Sequence, residues 1–240
     1  MSKHLYFIMI IAGSFLFSWE SWALECPWWQ IKVKASNVSQ HQRKGHEISK
    51  HPRQEHCREK WKGADRYVNQ FKDDPIPGWG KESETFKKWN RVEMQAVLEV
   101  LPNLPTWAQI ERYTFRRADK SIHQGNPATS ELTKKTIILY DNFFAYKDKL
   151  GAIGHEASHF VFQELTDLEV TEFEKLSGWE IEAKDRKVYV IPPKNPLMPD
   201  SVLNTEEDFT NHAEMYISIP ANLKKTNTKI YEFFLKRFPK

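Results

Sequence analysis

Apolar and polar positions along the chain fall into patterns that predict most of its elements. Phe86, Trp89, Val92, Val97 and Leu101 recur at helical spacing, which predicts a helix from a Ser83 cap to about residue 101. Pro102 and Pro105 end it. A strand is expected around 111–116, then a polar loop through Gly125-Asn126-Pro127. Residues 136–140, Thr-Ile-Ile-Leu-Tyr, give the strongest strand signal, β-branched and almost wholly apolar. Leu150, Ile153, Ala157, Phe160 and Val161 form one apolar face of a helix over about 147–165. Residues 179–191 read as a hairpin turning at Lys184-Asp185-Arg186, and Pro192, Pro193, Pro196 and Pro199 stiffen the loop after it. Helices over about 206–217 and 229–237 complete an α+β domain assigned to residues 81–240.

The N-terminal third reads differently. Lys3 and His4 precede an apolar run from Leu5 to Phe17, and Ser21-Trp22-Ala23 offers small residues at the −3 and −1 positions of a cleavage site. Residues 1–23 are therefore expected to be a cleavable signal peptide, too short in its apolar part for the ~20 residues a stable membrane span needs. The expected location is secreted or periplasmic. An isolated pair of cysteines, Cys26 and Cys57, then predicts one disulfide in an oxidising compartment. Between them Val38-Ser39-Gln40-His41-Gln42-Arg43 recurs weakly as Ile48-Ser49-Lys50-His51-Pro52-Arg53, which suits a small stapled hairpin unit. His41, His46, His51 and His56 recur every five residues. That period matches one face of neither a helix nor a strand, so solvated histidines are expected rather than a metal site. Residues 24–80 form this basic unit together with a turn-rich linker, Asp73-Asp74-Pro75-Ile76-Pro77-Gly78-Trp79-Gly80.

Composition narrows the function classes. With 40% hydrophobic and 28% charged residues and a mean hydropathy of −0.65, the chain is neither disordered nor a polytopic membrane protein. The net charge of +3 predicts no nucleic-acid partner. Its distribution is uneven, +5 over residues 24–63, −7 over 64–220 and +5 over 221–240. A basic N-terminal unit could meet an anionic cell-surface polymer, although a solvated basic face is the simpler reading.

The chemistry centres on Gly154-His155-Glu156-Ala157-Ser158-His159, which contains His-Glu-x-x-His. On a helix, positions i and i+4 share a face, so both imidazoles can reach one Zn²⁺ at ~2.0–2.1 Å per nitrogen. Glu156 lies about 100° round the helix, beside the metal but not on it, where a carboxylate can act as general base. The alternative is a pair of helix histidines without a metal. A third protein ligand is required, and Glu164, Glu169, Glu172, Glu174, Glu206, Glu207, His212 and Glu214 are candidates. Glu164 sits on the same helix, too close to bend back. The segment 204–216 is the better source, with Glu207, Asn211 and Glu214 on one face. A ligand at Glu207 leaves Asn211 one turn on as its hydrogen-bonding support, and puts Glu206 about 100° away.

The His-Glu-x-x-His helix followed by Glu207-Asp208-Phe209 resembles the gluzincin metallopeptidases, especially their lethal-factor-like branch and a set of exported bacterial zinc-peptidase-like proteins. Phe173-Glu174-Lys175-Leu176-Ser177-Gly178-Trp179 and the segment from Pro220 to Tyr231-Glu232-Phe233-Phe234 carry the rest of the resemblance. It implies a zincin-like fold over residues 83–240, with His155, His159 and Glu207 as zinc ligands and Glu156 as base. Two positions depart from the family pattern. Thr210-Asn211 stands where Ala-Glu is usual, which implies neutral rather than charged support behind the ligands. Asp200 stands where a tyrosine would donate to the developing oxyanion; Tyr189 and Tyr216 are possible substitutes.

The leading expectation is an exported zinc metallopeptidase acting on a peptide or protein, aligned by an edge strand near Tyr140. A zinc-binding protein with little catalysis, serving surface binding, is the second. An exported domain without a metal is the third.

Overall fold

The computed structural model describes residues 26–33, 36–38, 41–43, 46–48, 51–53, 56–59, 64–76, 85–108, 110–121, 123, 125–184 and 187–239. The leader assigned to 1–23, the Ser83 cap and the end of the turn-rich linker lie outside the described residues. Residues 1–58 and 59–240 form two compact units.

In the first unit, β1 (Gln30–Val33) pairs with β6 (His56–Glu59), β2 (Ser36–Val38) with β5 (His51–Arg53), and β3 (His41–Arg43) with β4 (His46–Ile48). The partners Ser36↔Arg53, Val38↔His51, His41↔Ile48 and Arg43↔His46 nest inside one another without a slip. The two copies of the weak repeat therefore lie on opposite legs of one hairpin ladder. Cys26 and Cys57 are disulfide-bonded with Cα atoms 5.5 Å apart, stapling its base. The side chains of the four regularly spaced histidines lie outside the described residues.

The second unit begins with α1 (Ala64–Tyr67), where Ala64 is fully buried. Residues 64–76, grouped with the basic unit by sequence, pack onto the second unit. Gln70 donates to the Ile110 carbonyl at 2.8 Å, and the Lys72 amide donates to that of Phe115 at 3.0 Å. The sheet runs β7 (Phe86–Lys87), β8 (Thr114–Ala118), β10 (Thr136–Leu139), β9 (Ala128–Glu131). β8 and β10 are parallel, while β7 and β9 run antiparallel to their neighbours. All four residues of β10 are buried, as a central strand covered on both faces requires.

Two expectations change here. The helix expected from Ser83 starts at α2 (Arg91–Leu98), because Asn90 and Glu93 close a reciprocal capping box and Phe86 and Lys87 are drawn into pairing with β8. The strand near Tyr140 is interior, and the edges among the described residues are the two-residue β7 and β9, whose polar Ala-Thr-Ser-Glu sequence gave no strand signal.

Helices cover one side. α3 (Asp141–Ala145) leads into α4 (Lys149–Phe162), capped by Asp148, which accepts from the Gly151 amide at 2.8 Å. α5 (Asp167–Ser177), absent from the sequence reading, is set by a Thr166/Glu169 capping box and stops at Gly178. The hairpin β11 (Glu180–Lys184) and β12 (Lys187–Ile191) follows as expected. A single 3₁₀ turn at Pro199–Val202 precedes α6 (Thr205–Ser218), α7 (Pro220–Thr226) and α8 (Thr228–Arg237). Fully buried Phe173, Phe209, Tyr216 and Phe234 join α5, α6 and α8 in an aromatic core. No helix among the described residues is long and apolar enough to cross a membrane.

α4 and α6 approach closely because Gly154 has no side chain. A Cβ there would meet Ile217 Cδ1 at 2.7 Å. Gly154→Val should overpack this contact and destabilise the unit by about 1–3 kcal/mol. Chemical denaturation checks the magnitude, and Ile217→Ala in the same chain should recover part of the loss.

Candidate metal centre

Gly151, His155 and His159 lie at i, i+4 and i+8 on α4, one above another on a single face. α6 runs antiparallel across that face, so Glu206 meets His159 while Glu214 meets His155. Glu207 lies between them. Its Oε2 is 3.6 Å from His155 Nε2 and its Oε1 is 4.0 Å from His159 Nε2. The two rings are 5.2 Å apart, and one donor atom from each of the three residues lies within 4.8 Å of the others. Ligand atoms of a tetrahedral zinc are separated by roughly 3.3 Å, as bonds of ~2.0–2.1 Å dictate. The donors thus converge to nearly that spacing, and a two-histidine, one-carboxylate set suits zinc.

The opposite ring nitrogens are held as well. His159 Nδ1 lies 2.8 Å from Glu206 Oε1, and Gln163 Nε2 donates to Glu206 Oε2 at 3.1 Å. His155 Nδ1 lies 3.2 Å from Glu214 Oε2. A carboxylate behind each Nδ1 keeps the proton there and leaves Nε2 free to bind. Thr210, fully buried, places Oγ1 3.3 Å from His155 Nε2 and donates to the Glu207 carbonyl at 3.0 Å.

Glu156 is buried beside this cluster, turned toward the sheet. Ser130 of β9 sets its hydroxyl 2.7 Å from both Glu156 Oε2 and the Glu156 main-chain oxygen. Glu156 Oε1 accepts no hydrogen bond from the described residues. The aim of the Glu156 carboxylate therefore depends on β9, a contact that sequence reading did not find because Ser130 lies in a segment read as loop.

Electrostatics bind the parts together. Burial favours the neutral form of His155, but the accepting carboxylates of Glu207 and Glu214 that face its two ring nitrogens, and the charge of Glu156, outweigh it and raise its pKa to about 10. The same contact with His155 holds the Glu207 carboxyl below the usual carboxylate range, against burial. A cation bound at Nε2 would have to displace a proton there.

The other sequence candidates serve elsewhere. Glu164 pairs with Arg112, Glu169 with Arg237, and Glu174 accepts from Thr205. His212 turns Nδ1 to the Asp208 carbonyl at 2.8 Å. Asn211 does not support Glu207. Its Nδ2 donates to Asp200 Oδ1 at 2.7 Å and to Ser201 Oγ at 3.0 Å, tying the 3₁₀ turn to α6. Where neutral support was expected, acids face the two histidines from behind: Glu206 and Glu214. Tyr216 is fully buried, stacked on Phe234 with its hydroxyl donating to the Phe238 carbonyl, and so is no substitute oxyanion donor. The Tyr189 side chain lies outside the described residues.

Compared with protein-family models, curated proteins and solved structures, the chain gives no match.

Two outcomes follow from this geometry. Below pH 10 zinc competes with the His155 proton, so affinity should rise about tenfold per pH unit between pH 6 and 9. Calorimetry in buffers of different ionisation enthalpy should record at least one proton released per zinc bound. Glu207→Gln should lose zinc far more than Glu206→Gln, since only Glu207 reaches both Nε2 atoms; competition with a chromophoric chelator measures both.

Proposed function

We propose that this protein is an exported zinc metallopeptidase of zincin-like fold, with zinc held by His155, His159 and Glu207. One observation carries the reading: both Nε2 atoms face the same Glu207 carboxylate while both Nδ1 atoms are held from behind by acids. When bound, zinc would supply a Lewis acid that polarises a peptide carbonyl and acidifies water.

The rest of the work belongs to the chain. Glu156 takes a proton at Oε1 and returns it to the leaving amine, while Ser130 holds Oε2 and fixes the carboxylate's aim. The outer edge of β9 offers unpaired main-chain groups to an extended peptide, and Ser130 lies on that strand. A peptide added there lies beside the base. Export rests on the N-terminal sequence, and the basic N-terminal unit is the candidate surface for an anionic cell-surface polymer.

Asp200 supports a second reading, a zinc-binding protein of weak or no catalysis. Its carboxylate accepts from Asn211 instead of donating toward a developing oxyanion.

Zinc-loaded protein incubated with a mixed peptide library and analysed by mass spectrometry tests both. Wild type should cleave, and Glu156→Gln should cut at least about 100-fold more slowly with zinc content unchanged. Stoichiometric zinc without cleavage by wild type would favour the second reading.

A further inference from the structure

The last two helices present a face that the zinc reading does not use. Residues 220–239 hold five cations, Lys224, Lys225, Lys229, Lys236 and Arg237, against Glu232 alone. All six side chains are exposed. Arg237 pairs with Glu169 of α5, whereas the four lysines form no ion pair among the described residues.

The helical period of α8 arranges this face. Ile230, Phe233, Phe234 and, just past its end, Phe238 are buried. At ~100° per residue the opposite side centres on Glu232, with Leu235 beside it. Leu235 is 48% exposed. Lys229 and Lys236, seven residues apart, share one flank of that side. Half-buried Tyr231 borders the other flank, and α7 sets Lys224 Nζ 5.5 Å from its ring centroid. Cations thus stand on both sides of an exposed leucine. Glu232, three residues after Lys229 and four before Lys236, is the single acid among them.

An apolar side chain flanked by lysines suits a headgroup layer. Each lysine stem can lie along apolar surface while its ammonium reaches a phosphate, and the leucine enters between them. A soluble polyanion would engage the lysines and leave Leu235 without a role. Place in the fold matters as well. α8 packs through Phe234 on Phe209 and Tyr216, the apolar side of α6. Glu206, Glu207 and Glu214 leave α6 on its other side, toward the histidines. The basic face is therefore separated from the acid-lined histidine cluster by α6 and the aromatic core. Residues 64–220 sum to −7, so an anionic surface attracts the α7–α8 end and repels the rest.

We propose that Lys224, Lys225, Lys229, Leu235 and Lys236 form a docking face for an anionic phospholipid bilayer, which holds the histidine cluster on the side away from the lipid. Such docking needs no metal and no part of the basic N-terminal unit.

The test sediments the full mature chain, without added metal, with vesicles of equal parts phosphatidylglycerol and phosphatidylcholine or of phosphatidylcholine alone, and titrates it with heparin as a soluble polyanion. Wild type should bind the anionic vesicles, ignore the neutral ones, and come off at about 0.5 M salt as screening shortens. Each lysine near an anionic surface contributes about fivefold to binding, so Lys225→Gln, Lys229→Gln and Lys236→Gln combined should bind about 100-fold more weakly. Leu235→Ser should weaken vesicle binding about fivefold and leave heparin binding unchanged. Glu232→Gln should tighten vesicle binding. Equal binding of anionic vesicles by wild type and the triple variant would overturn the assignment to α7–α8. Wild type that binds heparin but not anionic vesicles would overturn the lipid partner, and so would vesicle binding by Leu235→Ser equal to that of wild type.

Discussion

The distance between α4 and α6 governs everything else in the second unit. Helices pack at 8–10 Å when ordinary side chains separate them, and smaller residues let them approach. Gly154 admits Ile217, and Gly151 leaves room for the carboxylates of Asp148 and Glu214. Along that seam one face of α6 is polar, with Glu206, Glu207, Thr210 and Glu214 toward the histidines. Its other face is apolar, with fully buried Phe209, Ala213 and Tyr216 at i, i+4 and i+7. Burying each large aromatic contributes roughly 1.5–3 kcal/mol. The aromatic core behind α6 therefore presses a charged face against α4 that would otherwise favour water. Stability comes from one side of the helix and chemistry from the other.

That pressing concentrates charge. Four carboxylates, Glu156, Glu206, Glu207 and Glu214, surround two imidazoles. Like charges about 4 Å apart repel by up to roughly 4 kcal/mol at an effective dielectric of 20, so the arrangement needs positive charge at its centre. These acids favour the charged form of His155, so its pKa climbs against burial. On the zinc reading, a divalent cation at the point where both Nε2 atoms and Glu207 face one another would supply more positive charge.

Sequence pattern revealed the parts whose signal is local. The His-x-x-x-His face, the β10 core strand, the 179–191 hairpin and the cysteine pair follow from spacing or composition within a short window. What escaped depends on how two elements meet. Ser130 supports Glu156 only because β9 pairs with β10 and lies against α4. Glu206 and Glu214 matter only because α6 crosses α4 antiparallel, so that two turns of α6 run beside His159, His155 and Gly151 in succession. The shared face of Glu207 and Glu214 was legible as a helix period; its partner across the seam was not. α5 escaped for a different reason. Its Asp-Leu-Glu-Val-Thr-Glu-Phe-Glu-Lys-Leu-Ser sequence has a narrow apolar stripe, and the Thr166/Glu169 box that starts it is a two-residue signal.

The two departures from the gluzincin pattern meet in one hydrogen bond, and this changes what they mean. Asp200 and Asn211 stand eleven residues apart in sequence, yet Nδ2 and Oδ1 are 2.7 Å apart. A glutamate at 211 would set a second carboxylate against Asp200, and the repulsion would open the turn at Pro199–Val202. An amide at 211 instead donates to both Asp200 and Ser201, and closes that turn on α6. Each departure therefore makes the other tolerable, so they act as one exchange of a support for a tether. The acids beside the two imidazoles are Glu206 and Glu214, each facing an Nδ1 atom. A metal site can be rebuilt this way because an imidazole needs an acceptor behind it but does not dictate which turn of the facing helix provides it. On the peptidase reading an oxyanion position would have no such freedom, since a donor must reach one point beside the scissile carbonyl, and Asp200 accepts from Asn211. On the zinc-peptidase reading, the Asp200–Asn211 tether therefore leaves the His155, His159 and Glu207 cluster in place, and the question of catalysis falls on the turn at Asp200.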